Sequence, residues 1–269
     1  MTQRSHVRLH SRPRYDKAVD GIIDRIAPTR RPRERVVMYQ RWRDLLFLHW
    51  PVPPELIQPL LPPGLTVDTF EGNAYVGLVP FTMHGVRPVG LPPMPGISDF
   101  PECNVRTYVH RGGAGPGVWF FSLDAANIVA VLVARSLWRL PYFFARMATR
   151  RDSTAAIAYH TDRLAPPPLP AASRFRYTPT GEPQPATPDT LEFFLAERYI
   201  LYAYARHRLW RGRVHHTPYP LQTATLLDFN DTSLAADGIH LPIDTPAHPP
   251  LVHYAFGVDV DVFPLRPLA

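Results

Sequence analysis

The stretch that decides the fold is DFPECNVRTYVHRGGAGPGVWFFSLDAANIVAVLVARSLWRLPYFFA, from Asp99 to Ala145. Within it, Asn104–His110 alternates between polar and apolar residues, four glycines follow, and Val118–Leu123 is a second strand-like run. An alternating run, a glycine turn and a second apolar run together predict a β-hairpin. Burying a charged residue without a partner is costly. We therefore expect the charged residues inside this apolar stretch to form ion pairs or to belong to a functional site.

Strand-like runs also dominate the rest of the chain. They are Leu45–Trp50, Leu65–Phe70, Ala74–Phe81, Ile157–Thr161, Arg174–Tyr177, Val214–Leu227 and Leu251–Val262. The turn Glu71-Gly72-Asn73 separates the second run from the third and predicts another hairpin. Helices are predicted at Pro53–Leu61, at Ala125–Trp138 and from Thr190 through FFLAERYILYAYA. The pattern predicts an α+β fold in which strands dominate.

The distribution of linkers and apolar segments along the chain favours one domain. Residues 1–36 are basic and contain little apolar text, so we interpret them as a largely flexible N-terminal arm. No linker long enough to separate two domains interrupts residues 37–269, which predicts a single domain over that range. A chain of 269 residues, 45% of them hydrophobic, is long enough to bury a substantial core.

Several features restrict the compartment of the protein. No apolar run approaches the roughly 20 residues of a membrane-spanning helix, and the N-terminus lacks an apolar signal sequence. The single cysteine, Cys103, rules out an internal disulfide and fits a reducing compartment. We therefore expect a cytoplasmic protein without a membrane partner, and self-association into a homo-oligomer stays open.

The basic residues do not indicate a nucleic-acid interface. The net charge is +6, and the 29 basic residues include one lysine, Lys17. The densest basic run is Arg30–Arg35, at the end of the arm. A solvated arm explains this run better than nucleic-acid binding, because no recognisable nucleic-acid module accompanies it. We expect a small molecule as the partner.

Three polar residues of the first hairpin form the strongest candidate site. On a strand, Glu102, Asn104 and Arg106 project from one face, because successive side chains point to opposite faces. A carboxylate, an amide and a guanidinium in one row inside an apolar enclosure suit a small polar ligand. Asp124 either joins this site or caps the helix that follows it, which is a common role for aspartate.

Other polar residues are weaker candidates for binding. His216 and Gln222 lie in HHTPYPLQ, where polar residues interrupt apolar text, and both are candidates for the same cavity. We interpret Arg135, Arg198 and Tyr199 as helical residues, with the arginines forming ion pairs that hold helices on the sheet.

Nucleophilic and cofactor chemistry receive less support from the sequence. A neighbouring carboxylate disfavours the thiolate of Cys103, and Ser122 occupies no nucleophile elbow. The glycines between residues 112 and 117 precede a strand, which indicates a hairpin turn rather than a phosphate-binding loop. We expect no cofactor.

The histidines do not form an obvious metal site. Adjacent His215 and His216 face opposite sides of a strand, so the two are poorly placed to bind one ion together. Convergence of His49, one residue of this pair and His253 is the remaining alternative. We expect no metal.

Seven segments together resemble a known family. They are FLHWPVPPELIQPLLPPGLTVDTFEGNAYVGLVPF, FPECNVRTYV, VWFFSLDA, LPY, LEFFLAERYILY, VHHTPYPLQ and HYAFGVDV, and the match runs from about Val37 to Val262. In content and order they are similar to the YqjF-like family of unknown function, which is grouped with the acetoacetate decarboxylase-like superfamily. The resemblance implies a closed antiparallel β-barrel or sheet with a few flanking helices.

The resemblance also implies a pocket whose chemistry has changed. Superfamily decarboxylases use the first lysine of a Pro-Lys-Lys motif to form a Schiff base, and Pro141-Tyr142-Phe143 stands in that place here. Tyr142 carries no amine, and Lys17 lies in the arm, so an inherited Schiff-base mechanism is excluded. Glu102 is similar to a pocket carboxylate of the superfamily, and a second such carboxylate is replaced near Gly77.

Two functions remain open at this point. In the first, an acid–base enzyme of lyase or hydrolase type acts on a small carbonyl or carboxylate metabolite. Glu102 is then the acid or base, Tyr142 the proton donor or oxyanion partner, and Arg106 the carboxylate anchor. In the second, a non-catalytic barrel binds a small acidic or carbonyl ligand as a sensor or carrier. Analogy with the superfamily favours the enzyme.

Overall fold

Strands form most of the chain in this computed structural model, which describes residues 23–241 and 251–268. The strands are β1 (Met38–Val52), β2 (Thr66–Val67), β3 (Ala74–Pro88), β4 (Phe100–Arg111), β5 (Ala114–Ala125), β6 (Tyr142–Arg151), β7 (Ile157–Ala165), β8 (Ala172–Gln184), β9 (Ile200–Ala205), β10 (Arg208–His215), β11 (Leu221–Asp231), β12 (Leu251–Val262) and β13 (Arg266–Pro267). The helices are α1 (Pro54–Ile57), α2 (Ile128–Val133), α3 (Leu191–Ala196) and α4 (Ser233–Ala236), with 3-10 turns at Ala27–Thr29 and Gln58–Leu60 and a π-helical turn, Ala134–Trp138, that continues α2. The predicted strand-dominated α+β fold is confirmed.

All of these strands belong to one sheet, in the order β13-β10-β9-β5-β6-β7-β8-β11-β12-β1-β3-β4-β2. Two further pairings, β5 with β4 and β10 with β12, join strands that are far apart in this order, so the succession of paired strands returns on itself. Neighbours are antiparallel except that β5 runs parallel to β6 and to β9. The β5–β6 pairing departs from the expected antiparallel arrangement because α2 and the π-helical turn form a crossover between these two strands.

Strands β1, β3 and β4 separate two apolar cores and are buried on both faces. Along β1, Phe47 packs in the first core and Leu48 in the second. Along β4, Cys103 and Val105 pack in the second core. The residues that alternate with them on β4 face the first core, because side chains of a strand point to opposite faces in turn.

The first predicted hairpin is confirmed, and the second is confirmed only at its turn, where Phe70 and Asn73 form an antiparallel bridge. β4 and β5 pair from Glu102 opposite Ala125 to Arg111 opposite Ala114, across a turn whose glycines adopt positive φ. The run predicted over residues 65–70 forms only the short β2, which pairs with β4 instead of β3. The side chain of Asp68 explains the early end of the strand, because it turns inward to a buried arginine.

Two predicted helices have different limits in the structure. The helix predicted at Ala125 begins at Ile128, and Asn127 caps it by accepting a hydrogen bond from the Ala130 N–H at 3.0 Å. The helix that begins after Thr190 ends at Ala196, and the rest of the predicted helix forms β9. Pairing of β9 with both β5 and β10 outweighs the local helix propensity of this run.

Residues 23–36, at the end of the predicted arm, lie against the sheet. Arg25 forms an ion pair with buried Asp68, and its guanidinium lies 5.1 Å from the ring centroid of Phe194. In the basic run, Arg31 pairs with Asp261. Residues 1–22, including Lys17, lie outside the described part of the chain. In the described part, none of the helices is long and apolar enough to cross a membrane.

Candidate functional site

A partly open cavity of about 170 Å³ extends into the first core. Strands β1, β3, β4, β5, β6, β9, β10 and β12 line it, together with α2, the π-helical turn and the segment between α3 and β9. Its polar and amphipathic lining residues are Gln40, Trp42, Glu102, Asn104, Arg106, Trp138, Tyr142, Arg198 and Tyr219. Most of the remaining lining is aliphatic or aromatic, so a ligand in this cavity meets few polar groups.

The polar row of β4 faces this cavity. Glu102, Asn104 and Arg106 are each less than 9% exposed, and all three line the cavity wall. The register of β4 against β3 is regular from Phe100 to Thr107, so the period-two alternation is kept along the whole row. The structure therefore brings together the three residues that the alternation placed on one face.

Glu102 and Tyr142 form a hydrogen-bonded pair on the cavity wall. The Tyr142 hydroxyl donates to Oε2 of Glu102 at 2.8 Å, and the two residues are 7% and 1% exposed, respectively. Burial raises the pKa of Glu102 to about 8; the bond from Tyr142 opposes this rise, and the nearby charge of Asp124 adds to it. At neutral pH the carboxyl group is thus mostly protonated and can donate a proton.

The phenol of Tyr142 stays protonated at neutral pH as well. Burial and the neighbouring Glu102 both raise the pKa of Tyr142 well above its ordinary value. Arg135 fixes the backbone of this residue from outside the cavity, because its Nη1 donates to the Tyr142 carbonyl oxygen at 2.6 Å. The predicted pairing of Arg135 with a carboxylate is replaced by this bond to the main chain.

Arg106 is held by neutral oxygens and retains an unused donor. Its Nη2 donates to the Leu195 carbonyl at 3.1 Å and to the Tyr108 hydroxyl at 3.3 Å. Tyr108 also bonds Nε2 of His49 at 2.6 Å. Nε of Arg106 is buried without a hydrogen-bond partner, and no carboxylate within the described residues forms an ion pair with this guanidinium. The site therefore holds an uncompensated positive charge, which favours an anionic ligand.

Asn104 and Arg198 add two further polar groups to the wall. Oδ1 of Asn104 is buried without a hydrogen-bond partner, so it can accept a bond from a ligand. Arg198 was expected on a helix and lies instead just before β9, where it pairs with Asp68 at 2.8 Å and donates to the Phe194 carbonyl. The ion pair predicted for this arginine is confirmed, although the arginine also lines the cavity.

Asp124 lies away from the cavity. Nε of Arg163 donates to its carboxylate at 2.7 Å, and Nη1 of Arg163 contacts Asp237 at 3.0 Å. Burial raises the pKa of Asp124 to about 6 against the opposing effect of Arg163. Asp124 thus joins a buried ion cluster and neither caps α2, whose cap is Asn127, nor lines the cavity.

The two candidates from HHTPYPLQ also lie outside the cavity wall. His216 stacks on Tyr199 with ring centroids 4.5 Å apart, and its Nδ1 contacts the Thr217 carbonyl at 2.7 Å. Burial lowers the pKa of His216 to about 4. The side chain of Gln222 is half-buried, and its amide donates to the carbonyl oxygen of Thr180 on β8 at 3.4 Å. His216 reaches the cavity wall only indirectly, through ring contacts with the lining residues Tyr219 and Trp42.

The remaining reactive side chains have structural surroundings. Cys103 faces the second core, where burial raises the pKa of its thiol well above the ordinary value. Ser122 donates a hydrogen bond to Asp237. Across the described ranges, no group of three or more His, Cys, Asp or Glu side chains is arranged to hold a metal ion.

Several lining residues were not identified from the sequence. Gln40 and Trp42 lie two apart on β1, and the Trp42 indole N–H donates to the side-chain Oε1 of Gln40 at 2.8 Å. Their spacing matches the alternation on β4 and is the signal that indicates a cavity face. Tyr219 lies inside HHTPYPLQ, and Trp138 ends the π-helical turn. Only the tertiary fold brings these two aromatic residues to the wall.

The chain matches a known family along most of its length. The model of the DUF2071 family, described as an uncharacterized conserved protein, matches residues 39–259. The uncharacterized protein YqjF of Bacillus subtilis (strain 168) is 41% identical over 230 residues, which cover 86% of this chain and 92% of that protein. The resemblance predicted from seven sequence segments is confirmed.

Solved structures with low sequence identity share the fold. An acetoacetate decarboxylase-like enzyme from Sphingomonas wittichii RW1 has a TM-score of 0.59 and 14% identity, over 87% of this chain and 94% of that chain. The enduracididine biosynthesis enzyme MppR, complexed with pyruvate, has a TM-score of 0.54 and 14% identity, over 87% and 91% of the two chains. Acetoacetate decarboxylase from Legionella pneumophila has a TM-score of 0.55 and 15% identity, over 94% and 97%.

Proposed function

Because the chain belongs to the DUF2071 family and has an acetoacetate decarboxylase-like fold, we propose that it is an acid–base enzyme of lyase or hydrolase type. Its substrate is a small molecule with a carboxylate and a carbonyl group, and no Schiff base forms. The observation that carries this proposal is the buried Glu102–Tyr142 pair on the wall of a largely apolar cavity.

Glu102 is the general acid of this proposal. A carboxyl group with a pKa of about 8 is mostly protonated at pH 7 and becomes a base once it has given up its proton. Tyr142 donates to Oε2, which leaves the other carboxyl oxygen of Glu102 for the substrate. The place of the superfamily lysine is thus taken by a phenol that supports a carboxylic acid.

Arg106 is the anchor for the substrate carboxylate. A buried guanidinium without a carboxylate partner gains the most from an anionic ligand, because charge-assisted hydrogen bonds are about twice as strong as neutral ones. The fold neighbour MppR has been solved in complex with pyruvate. That complex supports a carboxylate-containing ligand in a cavity of this fold.

Replacing Glu102 with glutamine tests the catalytic role. The change keeps shape and burial and removes the transferable proton, so we expect Glu102→Gln to fold and to bind ligand while turnover falls at least 100-fold. NMR of a mixture of oxo and hydroxy acids, incubated with each protein, reports any conversion. Glu182→Gln, the same change at an exposed carboxylate, is the matched control. Equal conversion by wild type and Glu102→Gln would sink the assignment.

A non-catalytic ligand-binding protein is the second candidate, and the apolar cavity with a single acid favours it. In that case a sensor or carrier binds the same acidic or carbonyl ligand without converting it. Its melting temperature then rises with ligand concentration as RT ln(1 + [L]/Kd) predicts, and NMR detects no product. Conversion of any bound compound rules this candidate out.

A further inference from the structure

The two ends of the polar row on β4 are far apart for a small ligand. Glu102 and Arg106 are four residues apart on a regular strand, which separates their Cα atoms by about 13 Å. Both side chains nevertheless line the same cavity. A ligand that contacts both of them must therefore extend along the strand.

The surroundings of the two side chains hold them at separate ends. Glu102 is bound by Tyr142 of β6. Arg106 is held by the carbonyl of Leu195 in α3 and by Tyr108. Asp124, and not Arg106, is the charged neighbour that shifts the pKa of Glu102. The carboxyl group and the guanidinium thus act as two distinct polar contacts.

The lining between these ends suits a hydrocarbon chain. Val79, Phe81 and Leu123 contribute apolar surface to the same cavity, and Asn104 is the polar group between the two ends of the row. The cavity volume of about 170 Å³ is slightly above the roughly 150 Å³ of a cavity that holds benzene. Because this cavity is not fully enclosed, a longer linear ligand can extend through its open side.

We propose that the ligand is a linear carboxylic acid whose carbonyl group is separated from its carboxylate by several methylene groups. Arg106 binds the carboxylate at one end, and Glu102 contacts the carbonyl oxygen at the other. In a 2-oxo acid the two groups are on adjacent carbons, so such an acid contacts only one end of the row. The inference rests on the proposed function for the assignment of the two ends.

Isomers of oxohexanoate test this spacing directly. 2-Oxohexanoate, 4-oxohexanoate and 5-oxohexanoate have the same size and charge, and only the position of the carbonyl differs. Isothermal titration calorimetry of the full chain measures the affinity for each. We expect 5-oxohexanoate to bind about tenfold more tightly than 2-oxohexanoate, because a buried carbonyl without a partner is costly. Tightest binding of the 2-oxo isomer, equal binding of all three, or no binding overturns the inference.

Two variants assign the ends of the ligand. Glu102→Leu removes the partner of the carbonyl, and we expect the three isomers to bind this variant equally. Glu182→Leu, at an exposed position, keeps the wild-type order. Arg106→Met weakens all three isomers together. Circular dichroism establishes that each variant is folded before titration. An unchanged preference for 5-oxohexanoate in Glu102→Leu contradicts the assignment of Glu102.

The outcomes separate this inference from the proposed function. If 5-oxohexanoate binds best but no protein converts any isomer, the spacing stands and the enzymatic proposal fails. If 2-oxohexanoate is both the tightest ligand and the compound converted, the enzymatic proposal stands and the spacing fails.

Discussion

Burial changes the protonation state of Glu102 in the folded protein. Its carboxyl group has an ordinary pKa of 4.5 and a folded-state pKa of about 8. The folded protein therefore binds this proton more tightly than the unfolded chain does. The resulting stabilisation is complete below about pH 4.5 and is lost as the pH rises through about 8.

The stability of the wild type should therefore fall relative to Glu102→Gln as the pH rises. We expect the difference in the free energy of unfolding to change by about 1 kcal/mol per pH unit between pH 5 and pH 8. Urea denaturation of both proteins over this range measures it, and the subtraction removes the titration of other groups. A constant difference between the two proteins would show that Glu102 keeps an ordinary pKa when folded.

The sequence predicted the polar row of the site because that row depends on local periodicity. Glu102, Asn104 and Arg106 share a face of β4 for the same reason that any alternate residues of a strand do. The partners of Arg106 could not be predicted in this way. Leu195 lies 89 positions away along the chain, on α3, and only the tertiary fold brings its carbonyl to the guanidinium.

A buried ion cluster joins β5, β7 and the turn after α4. Arg163 of β7 lies between Asp124 and Asp237, and its side chain and both carboxylates are at most 3% exposed. Each carboxyl pKa is raised mainly by burial and lowered by Arg163. The ion pairs of this cluster connect β5, β7 and the turn after α4. They explain why a charged residue, Asp124, occurs inside an apolar run of the sequence.

Arg163→Met should destabilise the protein strongly, because it leaves two carboxylates buried without a cation. We expect a loss of about 3 to 5 kcal/mol at pH 8, measured by urea denaturation. The loss should be smaller at pH 5, because protonation neutralises carboxyl groups whose pKa values are raised. Arg174→Met, at an exposed position of β8, is the control. A loss that does not depend on pH would contradict this account.

The elements with their own local signals were predicted best. The alternation of polar and apolar residues and the glycine turn identified β4 and β5, and Thr190 indicated the start of α3. The run Ile200–Ala205 was predicted to be helical and is a strand. Its Leu and Ala residues suit a helix, but Ile200, Tyr202 and Tyr204 alternate as a strand does. Pairing with two neighbours decides between these preferences.

At the scale of the whole molecule, the segment before β1 is attached to the cavity region. Arg25 bonds Asp68, which also binds Arg198 of the cavity wall. An N-terminal residue is therefore connected to the site through a single buried carboxylate.

Arg25→Gln should lower stability by about 1 kcal/mol, because Asp68 keeps Arg198 as a partner and Arg25 is partly exposed. Thermal unfolding of the full chain measures this loss. Arg35→Gln, at an exposed position of the same segment, should change the melting temperature little. Equal effects of the two substitutions would indicate that Arg25 contributes only as a surface charge.

The division of β4 between two cores has a practical consequence for protein engineering. Positions 102, 104 and 106 border the cavity, while Cys103 and Val105 pack on the opposite side. The two faces of the strand can thus be substituted separately, which distinguishes changes to the cavity wall from changes to the second core.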